Sequence, residues 1–402
     1  MLPRPVLKLR RGTAITPFDG FKLGFGPYYG PSDINISILS CEEYVEDVLN
    51  LYCNLKDGKG IFNGMEKWFN VVLPEDPRVV SVVSEEDLTS NVSRIPKCDL
   101  VLVVVPDDML VEYDDDPYMP LKREIAKLGI PSQMLEYSTV KNLRDNPYVL
   151  FNLALSVYSK VGGVPWILSE PTFSELVVGI DVRRALDGKI VTGMSVLSMK
   201  NRFTFNWSYS TVDSLGAKYI SSVIKSELKS FVCEEEVRDF TFHCEGMPSQ
   251  EIIDGIKKAL NNLVNENMLS KDYSFRVIAV KKGGTPKIFK SIHGSYGVPD
   301  KGFTIILDYY RGIVATSGFP EFSFHSPLGL VRPLKIEVVD ENCEHDIKEV
   351  IKEVYWLSEL HWASGFRSSK YPISTLYAHR IVQFVASGVE PPEEYRGKAW
   401  FL

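Results

Sequence analysis

The hydrophobic pattern changes character once along the chain. From Ile34 to Tyr137 short apolar runs alternate with helical stretches. Ile34-Asn35-Ile36-Ser37-Ile38 alternates apolar and polar, as a half-buried strand does. Glu42 to Leu55 has helical spacing, Asn70 to Leu73 and Val79 to Val83 read as extended, and Leu100 to Val105 reads as a buried strand. Tyr118 to Leu128 is expected to be a helix, Ser132 to Leu135 a short strand, and Tyr148 to Lys160 a second helix. Gly162-Gly163 fits a helix C-cap, and Pro165 prevents the helix from resuming. Strands alternating with helices predict βαβ units and a parallel sheet.

Beyond a boundary near 163–175 the order differs. Leu176 to Val182, Ile190 to Ser198 and Arg202 to Ser208 are three successive strand-like runs, followed by a helix from Asp213 to Ser230, a strand at Phe240 to His243 and a helix from Ser249 to Val264. Three meandering strands, helix, strand, helix is the order of an RNase H-like domain. Further strands (Arg276 to Lys281, Gly302 to Leu307, Ile313 to Ser317, Leu334 to Val339) and two helices (Asp346 to Leu360, Thr375 to Ala386) complete it. The expected fold class is α/β, divided into residues 1–165 and 166–402, with no internal repeat or low-complexity linker.

Composition narrows the function classes. Hydrophobic residues at 45% and charged residues at 24% of 402 describe an ordinary globular chain. With 45 Lys+Arg against 52 Asp+Glu, the net charge of −7 excludes a surface coated in positive charge. Any nucleic-acid binding must use locally focused basic residues. The six cysteines are scattered without a C-x-x-C pair, so neither a zinc ribbon nor a disulfide framework is indicated. No apolar run approaches the ~18 residues of a membrane span. The basic stretch Met1 to Arg11 is not followed by a signal-peptide core, and a cytoplasmic protein without membrane insertion is expected.

Tyr118 and Lys122 lie four apart and share one face of a helix. Gln133 opens the next strand and Lys160 closes the next helix. A tyrosine ring stacks on a base while lysines and an amide hold a terminal phosphate, the chemistry of a site that captures a strand end. Arg123 takes the place of Lys122 if the helix register slips by one. Taken alone, such spacing is usually just a solvated helix face.

These residues stand in company. Tyr118-x-x-x-Lys122, then Ile130-Pro131-Ser132-Gln133, then Asn152-Leu153 leading into Lys160-Val161-Gly162-Gly163-Val164-Pro165-Trp166 resembles the MID domain of Argonaute proteins, a Rossmann-like fold. The resemblance implies that Tyr118, Lys122, Gln133 and Lys160 hold the 5′-phosphate and first base of a guide strand. Ser156 stands where many relatives carry another Lys or a Gln. The end of the chain, Ala399-Trp400-Phe401-Leu402, resembles the family's apolar C-terminus, which implies a Leu402 carboxylate near the guide pocket, with Mg2+ as a ligand there.

A nuclease of the RNase H-like class needs carboxylates converging on two metal ions ~3.5–4 Å apart. Asp181 ends the apolar run Val177-Val178-Gly179-Ile180, where an acid is either a buried, paired carboxylate or a metal ligand. It resembles the first catalytic aspartate of the family's PIWI domain. Phe242-His243-Cys244-Glu245-Gly246 resembles the segment that ends in Asp-Gly, with Glu245 one methylene longer than the expected aspartate. Metal sites tolerate an ångström of displacement poorly. Pro372 to His379 resembles the segment bearing the last ligand, so His379 is either its remnant or a partly buried helix histidine. Slicing relatives carry a loop glutamate where Ser208 to Gly216 has none; Asp213 there is expected to cap the following helix. Two of four positions match, which implies loss of slicing, because such residues act as a unit.

Arg183, Arg184, Lys200, Arg202, Lys281, Lys282, Lys287, Lys290, Arg367 and Lys370 are expected to line a channel that grips a heteroduplex by its backbone. The resemblance runs from about Asp33 to Leu402, and nothing in Met1 to Gly30 is expected to supply N or PAZ domains. It implies a short prokaryotic Argonaute with a degenerate catalytic site. Such a protein would bind a guide, RNA rather than DNA, and a complementary target, DNA. It would pass the event to a separate effector or PAZ-like partner in defence against viruses or plasmids. The alternatives are a guide-directed endonuclease using Asp181, Glu245 and His379, and a scaffold that binds no nucleic acid.

Overall fold

The computed structural model of the protein describes residues 1–107, 118–200, 203–322 and 331–402. They form two units. The first comprises Val6–Ile167, Trp362–Phe366 and Ser387–Leu402, and the second Met1–Pro5, Leu168–His361 and Arg367–Ala386. A division of the chain at 165/166 therefore differs from the observed one at the chain ends, which are exchanged.

In the first unit, β1 (Leu7–Lys8) pairs antiparallel with β2 (Thr13–Ala14), and α1 (Pro17–Lys22) follows. The main sheet is built from β3 (Ile36–Cys41), β4 (Arg78–Val82), β5 (Leu100–Val105) and β6 (Ser132–Glu136) in the order β4-β3-β5-β6, every pair parallel. Around it lie α2 (Val45–Asp57), α3 (Gly64–Phe69), α4 (Asp87–Ser90), α5 (Tyr118–Lys127), α6 (Tyr137–Leu143) and α7 (Pro147–Lys160). β3 and β5 are buried along their whole length, as an apolar run between two layers requires. This is the Rossmann-like arrangement expected. The stretch Asn70 to Leu73 is not a strand: Asn70 takes φ 55° and ends α3 in the left-handed region, where a short polar side chain is tolerated. α7 starts where the Asn146 side chain accepts from the amides of Tyr148 and Val149 with Pro147 in its first turn, and stops at Gly162, φ 100°.

β7 (Ile167–Leu168) is a two-residue strand. The second unit then lays β8 (Leu176–Arg184), β9 (Ile190–Ser198) and β10 (Thr204–Val212) as an antiparallel meander. α8 (Ala217–Glu235) leads to β11 (Asp239–Glu245), parallel to β8, and α9 (Gln250–Asn265) to β12 (Ser274–Lys281), parallel to β11. After the hairpin β13 (Lys290–Ile292) and β14 (Ser295–Gly297) come β15 (Thr304–Ile306), β16 (Arg311–Val314) and β17 (Leu334–Glu341), completing an eight-stranded sheet ordered β10-β9-β8-β11-β12-β17-β16-β15. α8 and α9 bury Ile224, Leu228, Ile256 and Leu260 against Val178, Ile180, Phe240 and Phe242 of the sheet. This is the RNase H-like order.

Helices α10 (Ile347–Ser358) and α11 (Ile373–Ala386) end the unit. α11 lies directly on β8 and β9 because two strand positions lack a side chain. A Cβ on Gly179 would stand 2.0 Å from the Ser374 carbonyl oxygen, and one on Gly193 would stand 2.5 Å from Val382 Cγ2. Asp213 does not cap α8 as expected; it sits in a bend, and Gly216 occupies the N-cap position without a side-chain bond. Among the described residues, no helix is long and apolar enough to cross a membrane.

Candidate functional site

In the first unit, the helix face predicted for Tyr118 and Lys122 exists on α5, and it is Lys122 that turns inward. Lys122 is 4% and Lys160 2% exposed, and both ammonium groups donate to the Ser132 carbonyl oxygen, at 3.1 and 2.8 Å. Two cations thus meet at the amino end of β6. Burial pushes the Lys122 ammonium down to about 7, since removal from water disfavours the charged form. Gln133 is the next residue on β6. Its amide nitrogen donates to the Met134 carbonyl at 3.0 Å, while its buried Oε1 has no hydrogen-bond partner among the described residues.

Arg123 does not substitute for Lys122. Its Nε donates to the Ser387 carbonyl at 2.8 Å, tying α5 to the C-terminal segment. That segment docks along the same elements. Tyr395 Oη donates to the Ile130 carbonyl at 2.5 Å, the Ala399 amide donates to the Ser159 carbonyl at 3.3 Å, and Trp400 and Phe401 are buried. These contacts place the chain end with the first unit. Tyr395 is the contributor sequence reasoning missed; its only signal was a tyrosine ahead of an apolar terminus.

In the second unit, β8 and β11 run parallel with Ile180 opposite Cys244 as their last pair, so Asp181 and Glu245 follow side by side where that pairing stops. α11 brings His379 onto both: its Nδ1 lies 3.0 Å from Asp181 Oδ2 and 2.9 Å from Glu245 Oε2. Hydrogen bonds to Asp181 and then Glu245 raise the His379 imidazole to about 9. Burial alone would raise the Glu245 carboxyl, but hydrogen bonds from His379 and from Lys282, whose Nζ is 2.8 Å away, outweigh it and hold it at about 2.

These shifts carry pH consequences. A histidine raised on folding stabilises fully below its ordinary value of 6.5 and loses that contribution as pH rises through about 9. The Glu245 contribution is present above about 4.5 and lost as pH falls through about 2. In metal-free buffer the His379 ring resonances are expected to titrate near 9, and Asp181→Asn to bring that midpoint down. A His379 midpoint at or below 6.5 by NMR would contradict the pairing.

The ligand atoms of Asp181, Glu245 and His379 all lie within 4.8 Å of one another, and two carboxylates with an imidazole suit one hard divalent cation. In the metal-free arrangement the His379 Nδ1 faces both carboxylates, so a metal would have to displace a proton there to use that nitrogen, and Lys282 also pairs with Glu245. Two-ion catalysis needs further carboxylate oxygens. Among the described residues Asp213 does not join the group.

The expected basic channel is assembled only in part. Arg183, Lys281 and Lys282 line a cavity of about 670 Å³ with Asp181, Glu245 and His379. Lys281 also pairs with Glu337, Lys200 with Glu175 and Lys290 with Asp300, while Arg184 donates to the Gly188 carbonyl and Arg367 lies over the Phe322 ring. Lys287 and Lys370 are not among the residues lining the cavity. Arg202 lies outside the described residues. Sequence reasoning also passed over His243, a histidine in the middle of an apolar strand. Fully buried, it sets Nδ1 2.8 Å from Ser374 Oγ and Nε2 3.5 Å from Glu353 Oε1, fixing the start of α11.

Comparison with known proteins adds the family context. The Piwi domain model matches residues 101–390. The Piwi protein of Archaeoglobus fulgidus is 24% identical over 317 residues, which cover 72% of this chain and 69% of that protein. The argonaute of Aquifex aeolicus is 24% identical over 326 residues, covering 77% of this chain and 42% of that protein. Among solved structures, Clostridium butyricum Argonaute bound to a guide DNA and a 19-mer target DNA has a TM-score of 0.73 at 24% identity, and Drosophila Piwi 0.77 at 14%. The alignments cover 98% and 100% of this chain but 54% and 56% of those structures. The chain therefore spans about half the length of the solved proteins it matches.

Proposed function

This chain belongs to the Piwi domain family, and from that premise we propose that it is a guide-dependent nucleic-acid recognition protein that captures a 5′-phosphorylated strand and does not slice. The observation that carries the reading is the meeting of Lys122 and Lys160, both buried, at the Ser132 carbonyl. A terminal phosphate carries the opposite charge that a neutral carbonyl lacks, and it can accept from both ammonium groups with charge-assisted bonds. Tyr118 supplies a ring for the first base and Gln133 Oε1 an acceptor. The Leu402 carboxylate, beyond the buried Trp400 and Phe401, is the group that would hold a Mg2+ ion beside the phosphate. The complex of the Clostridium butyricum relative supports a paired guide and target; we assign RNA to the guide and DNA to the target, and a separate effector protein to the output in defence.

Three features support the absence of slicing. Glu245 stands where the family resemblance expects an aspartate, among the described residues no fourth carboxylate joins the group, and His379 and Lys282 pair with the two carboxylates that remain. A site without net negative charge attracts divalent ions weakly.

The test has two arms. Short strands with a 5′-phosphate are expected to bind tighter by about a hundred-fold or more than the same strands with a 5′-hydroxyl, from two charge-assisted hydrogen bonds; equal affinity would sink the reading. Guide-loaded protein given complementary target with Mg2+ or Mn2+ is expected to leave the target intact. Site-specific cleavage that Asp181→Ala abolishes would overturn the non-slicing half and establish the endonuclease.

A further inference from the structure

We infer that the first unit carries a second nucleic-acid contact, a cavity that takes one nucleotide of a strand irrespective of its 5′ end. The cavity holds about 340 Å³ and is lined by Arg10, Tyr28, Tyr29, Asn70 and Tyr158, with the Gly30-Pro31-Ser32 turn at its side. That volume falls within the usual range for small-molecule sites of ~300–1,000 Å³.

Two glycines build it. Tyr158, on α7, is 1% exposed, and a Cβ on Gly163 would stand 2.2 Å from its ring, while a Cβ on Gly30 would stand 2.3 Å from its hydroxyl oxygen. The ring is therefore held between two bare backbones. Gly163 belongs to the Lys160-Val161-Gly162-Gly163 segment singled out by sequence, and admitting Tyr158 accounts for a glycine that the helix cap does not require. Tyr158 and Lys160 are two residues apart on a helix, about 200° around its axis, so they leave opposite sides of α7. The cavity is thus distinct from the Ser132 site.

Its chemistry is that of a nucleotide. Tyr29 is 62% exposed and offers a stacking face. Lys8 and Arg10 alternate with buried Leu7 and Leu9, so both point outward, and Lys8 Nζ stands 5.8 Å from the centre of the Tyr28 ring. Arg10 forms no ion pair among the described residues, which leaves its guanidinium for a phosphate. Aromatic faces beside unpaired cations form the usual platform for a single strand, the base stacking and the phosphate held. In a chain of net charge −7, such a focused pair of cations stands out against its surroundings.

The experiment uses full-length protein, strands of both sugar types with a 5′-hydroxyl, and uridine and adenosine monophosphates. Lys8→Ala with Arg10→Ala, both exposed positions, is expected to weaken the 5′-hydroxyl strands about ten-fold and to flatten the dependence of log affinity on log salt by about 1.4, some 0.7 for each phosphate contact of a single strand. Tyr29→Ala is expected to weaken the same strands without changing the salt slope. Free monophosphates at millimolar concentration are expected not to compete. Unchanged affinity and slope in the double variant would overturn the inference, and so would full competition by a free monophosphate, which would make the cavity a site for small nucleotides instead. Because Lys122 and Lys160 act only on the terminal phosphate, failure of this inference is separable from failure of the proposed function.

Discussion

Lys122→Ala combined with Lys160→Ala is expected to erase the preference for a 5′-phosphate and to lower affinity for a 5′-phosphorylated strand by about a hundred-fold or more, since two charge-assisted bonds of roughly 1.5–3 kcal/mol each are lost. Both ammonium groups lie within 3.1 Å of one carbonyl oxygen, so either single variant leaves one cation in place and loses less. The effect also carries a pH signature. Buried Lys122 sits near 7, against an ordinary value of about 10.4, so the unfolded chain binds this proton more readily between those limits. The penalty on stability is then largest below about 7 and fades as pH rises toward 10.4. A bound phosphate favours the charged form and draws the proton back, so complex formation above pH 7 should take up protons. Affinity is expected to peak near neutrality, where the phosphate is mostly dianionic above its second pKa of ~6, and to fall toward pH 9. Lys122→Met, in contrast, should leave the unfolding temperature of the free protein unchanged or higher, because it removes a buried charge. A double variant within threefold of the parent by filter binding would rule the pocket out.

Gly179→Ala is expected to destabilise the second unit by roughly 2–4 kcal/mol, a large value for adding one methyl group. The added Cβ would meet the Ser374 carbonyl oxygen at 2.0 Å and its carbon at 2.3 Å. Both are backbone atoms at the start of α11, itself pinned by Ser195 Oγ donating to that oxygen at 2.6 Å and by His243 on Ser374 Oγ. No rotamer change relieves the clash; the helix must move off β8. For a unit of this size the unfolding temperature should drop by about 4–16 °C. The movement withdraws His379 from Asp181 and Glu245, so its titration midpoint should slide from about 9 back toward 6.5. Gly283→Ala, where an added Cβ meets nothing within 4 Å, is the control and should shift stability by less than about 1 kcal/mol. A Gly179→Ala protein with the parent's unfolding temperature and His379 midpoint would refute the packing argument.

Much of the fold was legible from the pattern alone. Leu100–Val105 and Ile190–Ser198 fall on the boundaries expected for them; in Leu100–Val105 every position is apolar and buried, so no polar residue blurs its ends. The misses share a cause. Asn70 to Leu73 has the composition of a strand, but α3 needed a left-handed residue to stop and Asn70 supplied it. Short helices such as α3 and α6 are too brief for a period to register and are held by contacts instead. Asp213 had the right residue type for a cap, yet α8 begins beyond its reach at Gly216.

For the sites, the sequence by itself determined the inventory: a tyrosine, two lysines and a glutamine in the first unit, and two acids and a histidine in the second. It also determined that glycine, not a larger residue, stands at 163, 179 and 193. Only the tertiary structure decided which of these side chains meet. Lys122 rather than Arg123 turns inward, because one step along a helix rotates a side chain by about 100° and Arg123 is drawn to the Ser387 carbonyl. Asp181 and Glu245 become neighbours through a parallel strand pairing across more than sixty residues of sequence, and His379 reaches them because bare glycines let α11 settle on the sheet. Charge balance was likewise a matter of proximity: a partner of Glu245 is Lys282, just past the end of β12. Periodicity reports which face of an element is buried, and it is silent on which buried faces come together, since that depends on shape and charge summed over residues distant in the chain.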